Sequence, residues 1–158
     1  MQHFIWRSQN ERCVGAGMSQ TLSPILLVED RSTDLDLTKR AFARQRLLNP
    51  IQIARDGEEA LAFISRWKAG EPLPIFILLD LKLPKISGLE FLRQLKAYPE
   101  FASIPVIVLT TSREDKDVEQ AYRLGCNSYI VKPVEFSKFM EVASQIELYW
   151  CVLNTAPR

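Results

Sequence analysis

The sequence is poor in cysteine and histidine, the residues from which disulfide frameworks and soft metal sites are built. Three cysteines, Cys13, Cys126 and Cys151, are scattered along 158 residues, and the one histidine is His3. No CxxC pair or Cys/His cluster occurs, which argues against a zinc site and a disulfide-stapled fold. Cysteines that are few, odd in number and widely spaced are typical of reduced thiols, so we expect a cytoplasmic protein.

Long apolar runs and a strong net charge are also absent. The formal net charge of +1 gives no global electrostatic argument for a nucleic-acid or anionic-membrane partner. No stretch approaches the roughly 20 apolar residues that span a bilayer, and residues 1–17 lack the apolar run of a secretory signal. We predict a disordered extension over residues 1–22, one folded domain over residues 23–150 and a short tail over residues 151–158.

Short apolar runs alternate with helical patterns along most of the chain. The runs are typical of strands, and those without polar interruptions are typical of strands buried on both faces. They occupy residues 24–28, 50–54, 75–79, 105–109 and 128–131. Helical spacing of apolar residues follows each run, the last pattern extending from residue 134 towards residue 150. Five strands alternating with five helices predict an α/β fold with a parallel sheet covered on both faces.

Side chains that can bind metal ions or take part in catalysis follow four of these strands. Glu29 and Asp30 follow the first strand, Asp80 the third, Thr110 the fourth and Lys132 the fifth. Ligands of open parallel sheets bind beyond the carboxyl ends of the strands, so these side chains should converge on one rim. Three neighbouring carboxylates repel one another unless a cation binds or some are protonated. Hard oxygen ligands of this kind suit Mg²⁺.

The remaining members of this rim suit phosphoryl transfer. A lysine ammonium pairs with one phosphoryl oxygen, and a threonine hydroxyl donates a hydrogen bond to another. Transfer to the protein also needs a nucleophile, and a carboxylate can serve by forming an acyl phosphate. Asp80 is the best candidate because it ends the most hydrophobic strand, which should be central in the sheet. Pro84 and Gly88 predict a fixed turn after it.

Four stretches resemble the receiver domain of two-component response regulators. They are ILLVED, ILLDLKLPKISGLE, PVIVLTTS and SYIVKP, and their order and spacing agree over about residues 24–148. The resemblance implies a CheY-like, flavodoxin-like doubly wound (βα)5 fold with five parallel strands in the order 2-1-3-4-5. It also implies that Asp80 is the phosphoacceptor.

The resemblance assigns the metal ligands. Asp30 and Asp80 would bind Mg²⁺, Glu29 would act mostly through water, and the backbone carbonyl of Lys82 would complete the site. Glu29 is a departure, since aspartate is common at this position in the family; its longer side chain should still reach a metal-bound water.

The resemblance also assigns the switch. Thr110 and Lys132 would contact the phosphoryl group, and Tyr129 would change rotamer as Thr110 moves. A cis peptide bond is expected between Lys132 and Pro133. Lys82 and Ser112 occupy positions that tune the lifetime of the acyl phosphate in such domains.

A narrower resemblance suggests the partner. LPK…GLE, VLTTSRE, NSYIVKPVEF and LYWCVLN resemble small stand-alone receivers that often partner bacterial phytochrome histidine kinases. His3 falls in the predicted extension, so the phosphoryl group should come from a phosphohistidine of a sensor kinase or from a small donor. We expect no effector domain, and therefore output through a downstream effector or phosphotransfer protein.

The last helix carries more apolar residues than one face needs. Phe136, Phe139, Met140, Ala143 and Ile146 follow helical spacing and should face the core. Val142, Tyr149, Trp150, Val152 and Leu153 are left over, and an exposed patch of that size usually marks an interface. We expect a homodimer through the fourth helix, the fifth strand and the fifth helix with the tail, the alternative being a tail folded over its own domain.

Other functions are less consistent with the residues present. An aspartyl-nucleophile phosphatase would need a second Asp two residues after Asp80, where the chain has Lys82. An electron carrier of this fold would need a Ser/Thr/Gly-rich loop after the first strand, where Glu29, Asp30 and Arg31 stand. A phosphate-independent scaffold or dimerisation module is the remaining alternative. We therefore expect a regulatory protein that promotes its own phosphorylation and dephosphorylation, not an enzyme.

Overall fold

The five strands form one sheet, seen here in a computed structural model that describes residues 22–155. The strands are β1 (Ile25–Val28), β2 (Ile51–Ala54), β3 (Phe76–Leu79), β4 (Val106–Thr110) and β5 (Ser128–Val131). The helices are α1 (Ser32–Arg44), α2 (Gly57–Lys68), α3 (Gly88–Lys96), α4 (Asp115–Arg123) and α5 (Phe136–Glu147), followed by a π-helical segment, Leu148–Leu153. Most of the predicted N-terminal extension lies outside the described residues.

All neighbouring strands are parallel, in the order β2-β1-β3-β4-β5. Parallel pairing requires a crossover after each strand, and α1 to α4 supply these crossovers. The predicted fold class and strand order are confirmed. All four residues of β1 and of β3 are buried, as expected for continuous apolar strands covered on both sides.

Two apolar clusters lie on opposite faces of the sheet because successive side chains of a strand point in opposite directions. One packs Leu26, Ile77 and Val108 against α2, α3 and α4. The other packs Ile25, Phe76 and Ile107 against α1 and α5. The layers thereby leave the carboxyl ends of the strands as the one rim at which the predicted site residues can meet.

Helix ends differ in places from the predicted ones. The pattern extends α1 into the late forties, but the helix ends at Arg44 because the chain turns through Arg46, which has a positive φ of 54°. The fourth helix begins at Asp115 rather than at Ser112. Gly70 and Gly125 do close α2 and α4, each with a φ of 100° that favours glycine.

The C-terminal residues fold differently from the expectation in two respects. Phe136 is 52 % exposed instead of facing the core, because it is the first residue of α5 and contact with the core begins one turn later, at Phe139. Val152, expected on the exposed patch, is buried with Cys151 because the π-helical segment turns both residues towards the α1/α5 side of the core. Tyr149 and Leu153 remain half exposed.

Candidate phosphoryl-acceptor site

The sheet brings the predicted site residues together at its carboxyl edge. Backbone hydrogen bonds continue the strand pairing past the strand ends: Asp80 N donates to the carbonyl of Val28 at 3.0 Å, and Lys132 N donates to that of Thr110 at 2.8 Å. Glu29, Asp80, Thr110 and Lys132 are all at most 8 % exposed. Burial of three charged side chains in one place requires that they compensate one another.

Asp80 lies at the centre of the polar contacts. Its Oδ1 accepts hydrogen bonds from the Thr110 hydroxyl at 2.9 Å and from the backbone N–H of Lys82 at 3.2 Å. Its Oδ2 accepts one from Lys132 Nζ at 2.9 Å. Hydroxyl, amide and ammonium donors around one carboxylate are the groups that can stabilise negative charge on phosphoryl oxygens.

Lys132 contacts three carboxylates at once. Its Nζ lies 2.9 Å from Glu29 Oε2, 2.9 Å from Asp80 Oδ2 and 2.8 Å from Asp34 Oδ2. Sequence reasoning missed Asp34, which lies in the first turn of α1, one helical turn beyond Asp30. An acidic residue in a first turn is ordinary on helix-dipole grounds, so its position alone gave no signal of this contact.

The metal ligands expected from the sequence are assembled in part. Glu29, Asp30 and Asp80 each offer a carboxylate oxygen, and these oxygens lie within 4.8 Å of one another. Asp30 is the most open of the three. Oxygen ligands at this spacing, on the solvent side of a buried carboxylate, fit a hard divalent cation that keeps part of its water shell.

The proximity of these acids shifts their protonation. Burial, followed by the hydrogen bond and repulsion from Asp80, raises the pKa of Glu29 to about 8. Burial opposes ionisation of Asp80 as well, but its interactions with Glu29 and the Lys132 ammonium outweigh it and hold the pKa of Asp80 below its usual value. Burial would likewise lower the pKa of Lys132, yet Asp34 and Asp80 raise it. Of the two neighbouring buried acids, Asp80 is thus the one whose surroundings favour the carboxylate form, which is the form that a carboxylate nucleophile requires.

The loop after β3 is held by close backbone packing. A Cβ on Gly88 would stand 2.3 Å from the carbonyl oxygen of Asp80, and one on Gly57 would stand 2.1 Å from that of Ile86. The N–H groups of Gly57 and Ile86 both donate to the carbonyl of Pro84. The fixed turn predicted from Pro84 and Gly88 is present, and α2 and α3 hold it beside Asp80.

The opposite side of the site is connected by side chains. Ser112 is buried, its N–H points to the Thr110 hydroxyl at 3.5 Å, and its own hydroxyl donates to Asp117 on α4. Tyr129 OH donates to the Ser112 carbonyl at 3.0 Å. Thr110, Ser112 and Tyr129 thus form one contact chain from Asp80 to β5. The peptide bond before Pro133 is trans, contrary to the expectation of a cis bond; trans is favoured by about 0.5–1 kcal/mol for X–Pro bonds.

A buried aspartate between a lysine, a threonine and further acids, at the carboxyl rim of a 2-1-3-4-5 parallel sheet, is the arrangement that the sequence predicts for a receiver-type α/β signalling domain. The chain matches the family described as "Response regulator receiver domain" over residues 25–144. It belongs to that family and is a response regulator of two-component signalling.

Known regulatory proteins are similar to this chain over most of their length. It is 41 % identical to the "Probable methanogenesis regulatory protein FilR2" of Methanothrix harundinacea over 84 % of this chain and 86 % of that protein. It is 38 % identical to "Response regulator Rcp1" of Synechocystis over 84 % of this chain and 92 % of Rcp1.

Solved structures extend the likeness to three dimensions. The Mn²⁺-bound form of Rcp1 has a TM-score of 0.80 and 36 % identity, covering 86 % of this chain and 99 % of that one. The bacteriophytochrome response regulator RtBRR has a TM-score of 0.67 and 47 % identity, covering 86 % of this chain and 84 % of that one. The resemblance to small phytochrome-associated receivers is confirmed. Within the described residues, no helix is both long and apolar enough to cross a membrane.

Proposed function

We propose that Asp80 accepts a phosphoryl group from the phosphohistidine of a sensor histidine kinase, with Mg²⁺ bound by Glu29, Asp30, Asp80 and the backbone carbonyl of Lys82. The observation that carries the proposal is the arrangement around Asp80: one oxygen receives the Thr110 hydroxyl and the other the Lys132 ammonium. The same surroundings hold the pKa of Asp80 below its usual value, which favours the carboxylate form of the acceptor.

The proposed reaction is a displacement at the phosphorus atom. A carboxylate oxygen of Asp80 forms the new P–O bond as the P–N bond to the donor imidazole breaks, and the imidazole leaves with that electron pair. Lys132 and Thr110 then donate to phosphoryl oxygens instead of to a free carboxylate. A bound Mg²⁺ supplies charge neutralisation for the phosphoryl oxygens. Hydrolysis of the acyl phosphate returns Asp80, so the protein promotes both its own phosphorylation and its dephosphorylation.

Intact mass after incubation with Mg²⁺ and acetyl phosphate tests this proposal. We expect a gain of about 80 Da, one phosphoryl group, in the native chain and in Asp36→Asn, a control on the exposed side of α1. We expect no gain in Asp80→Asn, whose amide is similar in size but is no nucleophile.

An unmodified native chain would contradict the proposal if a phosphorylated kinase also fails as donor while Mg²⁺ binding is demonstrated. The phosphate-independent scaffold would then be the better interpretation of the same fold. A gain in Asp80→Asn equal to that of the native chain would place the acceptor elsewhere.

A bacterial phytochrome kinase is the sensor class we propose as donor. RtBRR is described as a bacteriophytochrome response regulator and shares 47 % of aligned residues with this chain. Phosphotransfer from a purified phytochrome kinase, compared with an unrelated histidine kinase, tests this pairing; equal rates would contradict it. We place the reaction in the cytoplasm and propose residues 23–150 as the receiver domain, with output passed to a downstream effector or phosphotransfer protein.

We also propose a homodimer through α4, β5 and α5 with the terminal segment. β5 is an edge strand, and beside it lies a groove of about 560 Å³ lined by residues of β5, α5 and the π-helical segment, including Ile130, Val142 and Trp150. About half of each of three further side chains is exposed nearby in the sequence of elements: Tyr122 on α4, and Tyr149 and Leu153 in the π-helical segment. Apolar surface of this kind beside the outer edge of a sheet favours a protein partner.

Size-exclusion chromatography with light scattering measures the mass in solution and tests the dimer. The substitutions are made at exposed positions, so the core is left intact. We expect the native chain to run as a dimer and the double variant Tyr149→Arg/Leu153→Arg to shift towards the monomer mass. Leu48→Arg, at an 81 % exposed position between α1 and β2, is the control and should remain dimeric. A native chain that is monomeric at all concentrations would contradict this interface.

A further inference from the structure

Asp34 is an acid at this rim that has no role in the proposed metal site. Its Oδ2 lies 2.8 Å from Lys132 Nζ, and its side chain is 16 % exposed. Its carboxylate is not among the three whose oxygens cluster within 4.8 Å. Asp34 therefore contacts the lysine from the α1 side, separately from the acids that suit a cation.

The ammonium of Lys132 is saturated by its three acceptors. An ammonium has three N–H donors, and Glu29, Asp34 and Asp80 each accept one at 2.8–2.9 Å. The lysine side chain is 5 % exposed, so water has little access as a replacement acceptor. Loss of one carboxylate would leave a buried donor unpaired and allow the long side chain to reorient.

The position of Asp34 is itself fixed by α1. Leu35 and Thr38, next to it on the helix, are 2 % and 4 % exposed, and the Thr38 hydroxyl donates to the backbone carbonyl of Asp34 at 2.8 Å. Arg31, the other cation near Asp34, lies 4.0 Å away and its side chain is 61 % exposed. An exposed pair at that distance is weak, so Lys132 is the main charge partner of Asp34.

We propose that Asp34 is a positioning residue for phosphoryl transfer. Together with Glu29 it holds two of the three N–H groups of Lys132, so that the third, now on Asp80 Oδ2, is directed at the oxygen of the incoming phosphoryl group. Asp34 itself touches neither the nucleophile nor the phosphoryl group. This inference rests on the proposed phosphorylation of Asp80.

The side-chain ammonium signal of Lys132 in ¹H–¹⁵N spectra of the unmodified protein reports the tether directly. A buried ammonium held by three acceptors exchanges slowly with water, so we expect a resolved signal in the native chain that is absent in Lys132→Met. The signal should be lost in Asp34→Ala and retained at a shifted position in Asp34→Asn, whose amide oxygen still accepts a hydrogen bond. Asp36→Ala is the matched control, since it removes an exposed acid from the same helix.

Phosphorylation kinetics with acetyl phosphate then test the positioning role. In Asp34→Ala the maximal rate should fall roughly tenfold with the half-saturating concentration unchanged, because misplacement of a catalytic group affects the rate rather than binding of the donor. Asp34→Asn should recover part of the rate, and Asp36→Ala should match the native chain. Thermal unfolding of each variant establishes that it is folded.

Different results overturn the positioning role of Asp34 and the proposed phosphorylation of Asp80. A folded Asp34→Ala that keeps the Lys132 signal, or that loses it while its maximal rate stays within about twofold of native, overturns the positioning role alone. A native chain that is never phosphorylated at Asp80 overturns the proposed function and with it the positioning role.

Discussion

The strands β3 and β5 belong to the same parallel sheet but are held in different ways. All four residues of β3 are buried, and the loop after it is packed backbone against backbone at Gly88 and Gly57. All four residues of β5 are only half-buried. Side-chain hydrogen bonds connect this strand to the site, from Tyr129 to the Ser112 carbonyl and from Lys132, directly after the strand, to Asp80.

This difference separates two tasks. Close packing leaves little room for alternative arrangements, which suits a nucleophile that must meet its donor in one geometry. Hydrogen bonds at a half-exposed surface can be exchanged for others at small cost, which suits the part that must respond. The β3 side therefore suits the chemistry and the β5 side suits the relay of its result.

Placing a side chain at Gly88 should give the largest effect, since it attacks the packed side directly. In Gly88→Ala the new Cβ would stand 2.3 Å from the carbonyl oxygen of Asp80, so the loop must move. We expect a loss of roughly 1–3 kcal/mol in the free energy of unfolding and loss of phosphorylation by acetyl phosphate.

Gly70→Ala is the control for Gly88→Ala. It strains a positive φ but meets no atom within 4 Å, so it should lose stability and keep phosphorylation. Native-like phosphorylation of Gly88→Ala would show that the loop is as adjustable as the β5 side.

A second prediction concerns Glu147, a buried acid at the end of α5, the helix that follows β5. Burial raises the pKa of Glu147 to about 7 from 4.5. A raised pKa means that the native state favours the protonated form, so native stability falls as the pH rises from the unfolded-state pKa to the folded-state value. Glu147→Gln cannot ionise and should therefore be more stable than the native chain above pH 7, by up to about 3 kcal/mol, with little difference near pH 4.5.

Denaturant unfolding at about pH 5 and about pH 8 measures this difference. Glu141→Gln, at an exposed position of the same helix, should change stability equally at both pH values. A constant difference for Glu147→Gln across this range would mean that Glu147 is ionised in the native state throughout.

The smallest effect is expected from Ser112→Ala. It removes the hydrogen bond to Asp117 at the start of α4, a contact worth about 0.5–1.5 kcal/mol, and leaves the apolar packing in place. Hydrogen exchange of amides 115–118 should accelerate several-fold, while that of residues 88–92 should not change.

Ser144→Ala provides the comparison for Ser112→Ala, because its hydroxyl bonds only within α5, to the carbonyl of Met140. It should leave exchange in α4 unaltered. Acceleration of residues 88–92 by Ser112→Ala would show that the two sides of the site are not separable.

The sequence predicted the sheet and most of the rim because both depend on local patterns. Short apolar runs determine β1, β3 and β4, and the residue that follows each run is placed by the strand itself, as for Asp80. Asp34 escaped prediction because its contact with Lys132 joins residues 98 positions apart, which no local pattern reveals. The late start of α4 has a local cause instead, because the Ser112 hydroxyl is bonded to Asp117, five residues further along.

The C-terminal residues show a second limit. Spacing alone assigned Phe136 to the core and Val152 to the surface, and both assignments were wrong. Helical periodicity gives the direction of a side chain but not where the helix begins to touch the sheet. It also assumes an α-helical turn, whereas Leu148–Leu153 is π-helical and points Val152 inward.

The hydrogen bond between Lys132 and Glu29 joins residues that are 103 positions apart. Glu29 follows β1 and Lys132 follows β5, the first and the last of these strands along the chain. Contacts this distant in sequence form late, because a long loop must close before they contribute. During synthesis Glu29 and Asp80 leave the ribosome well before Lys132. Until β5 pairs with β4, the Lys132 ammonium is not positioned between these two acids. The proposed acceptor site is thus complete only once the last strand is in place, because Lys132 follows directly after β5.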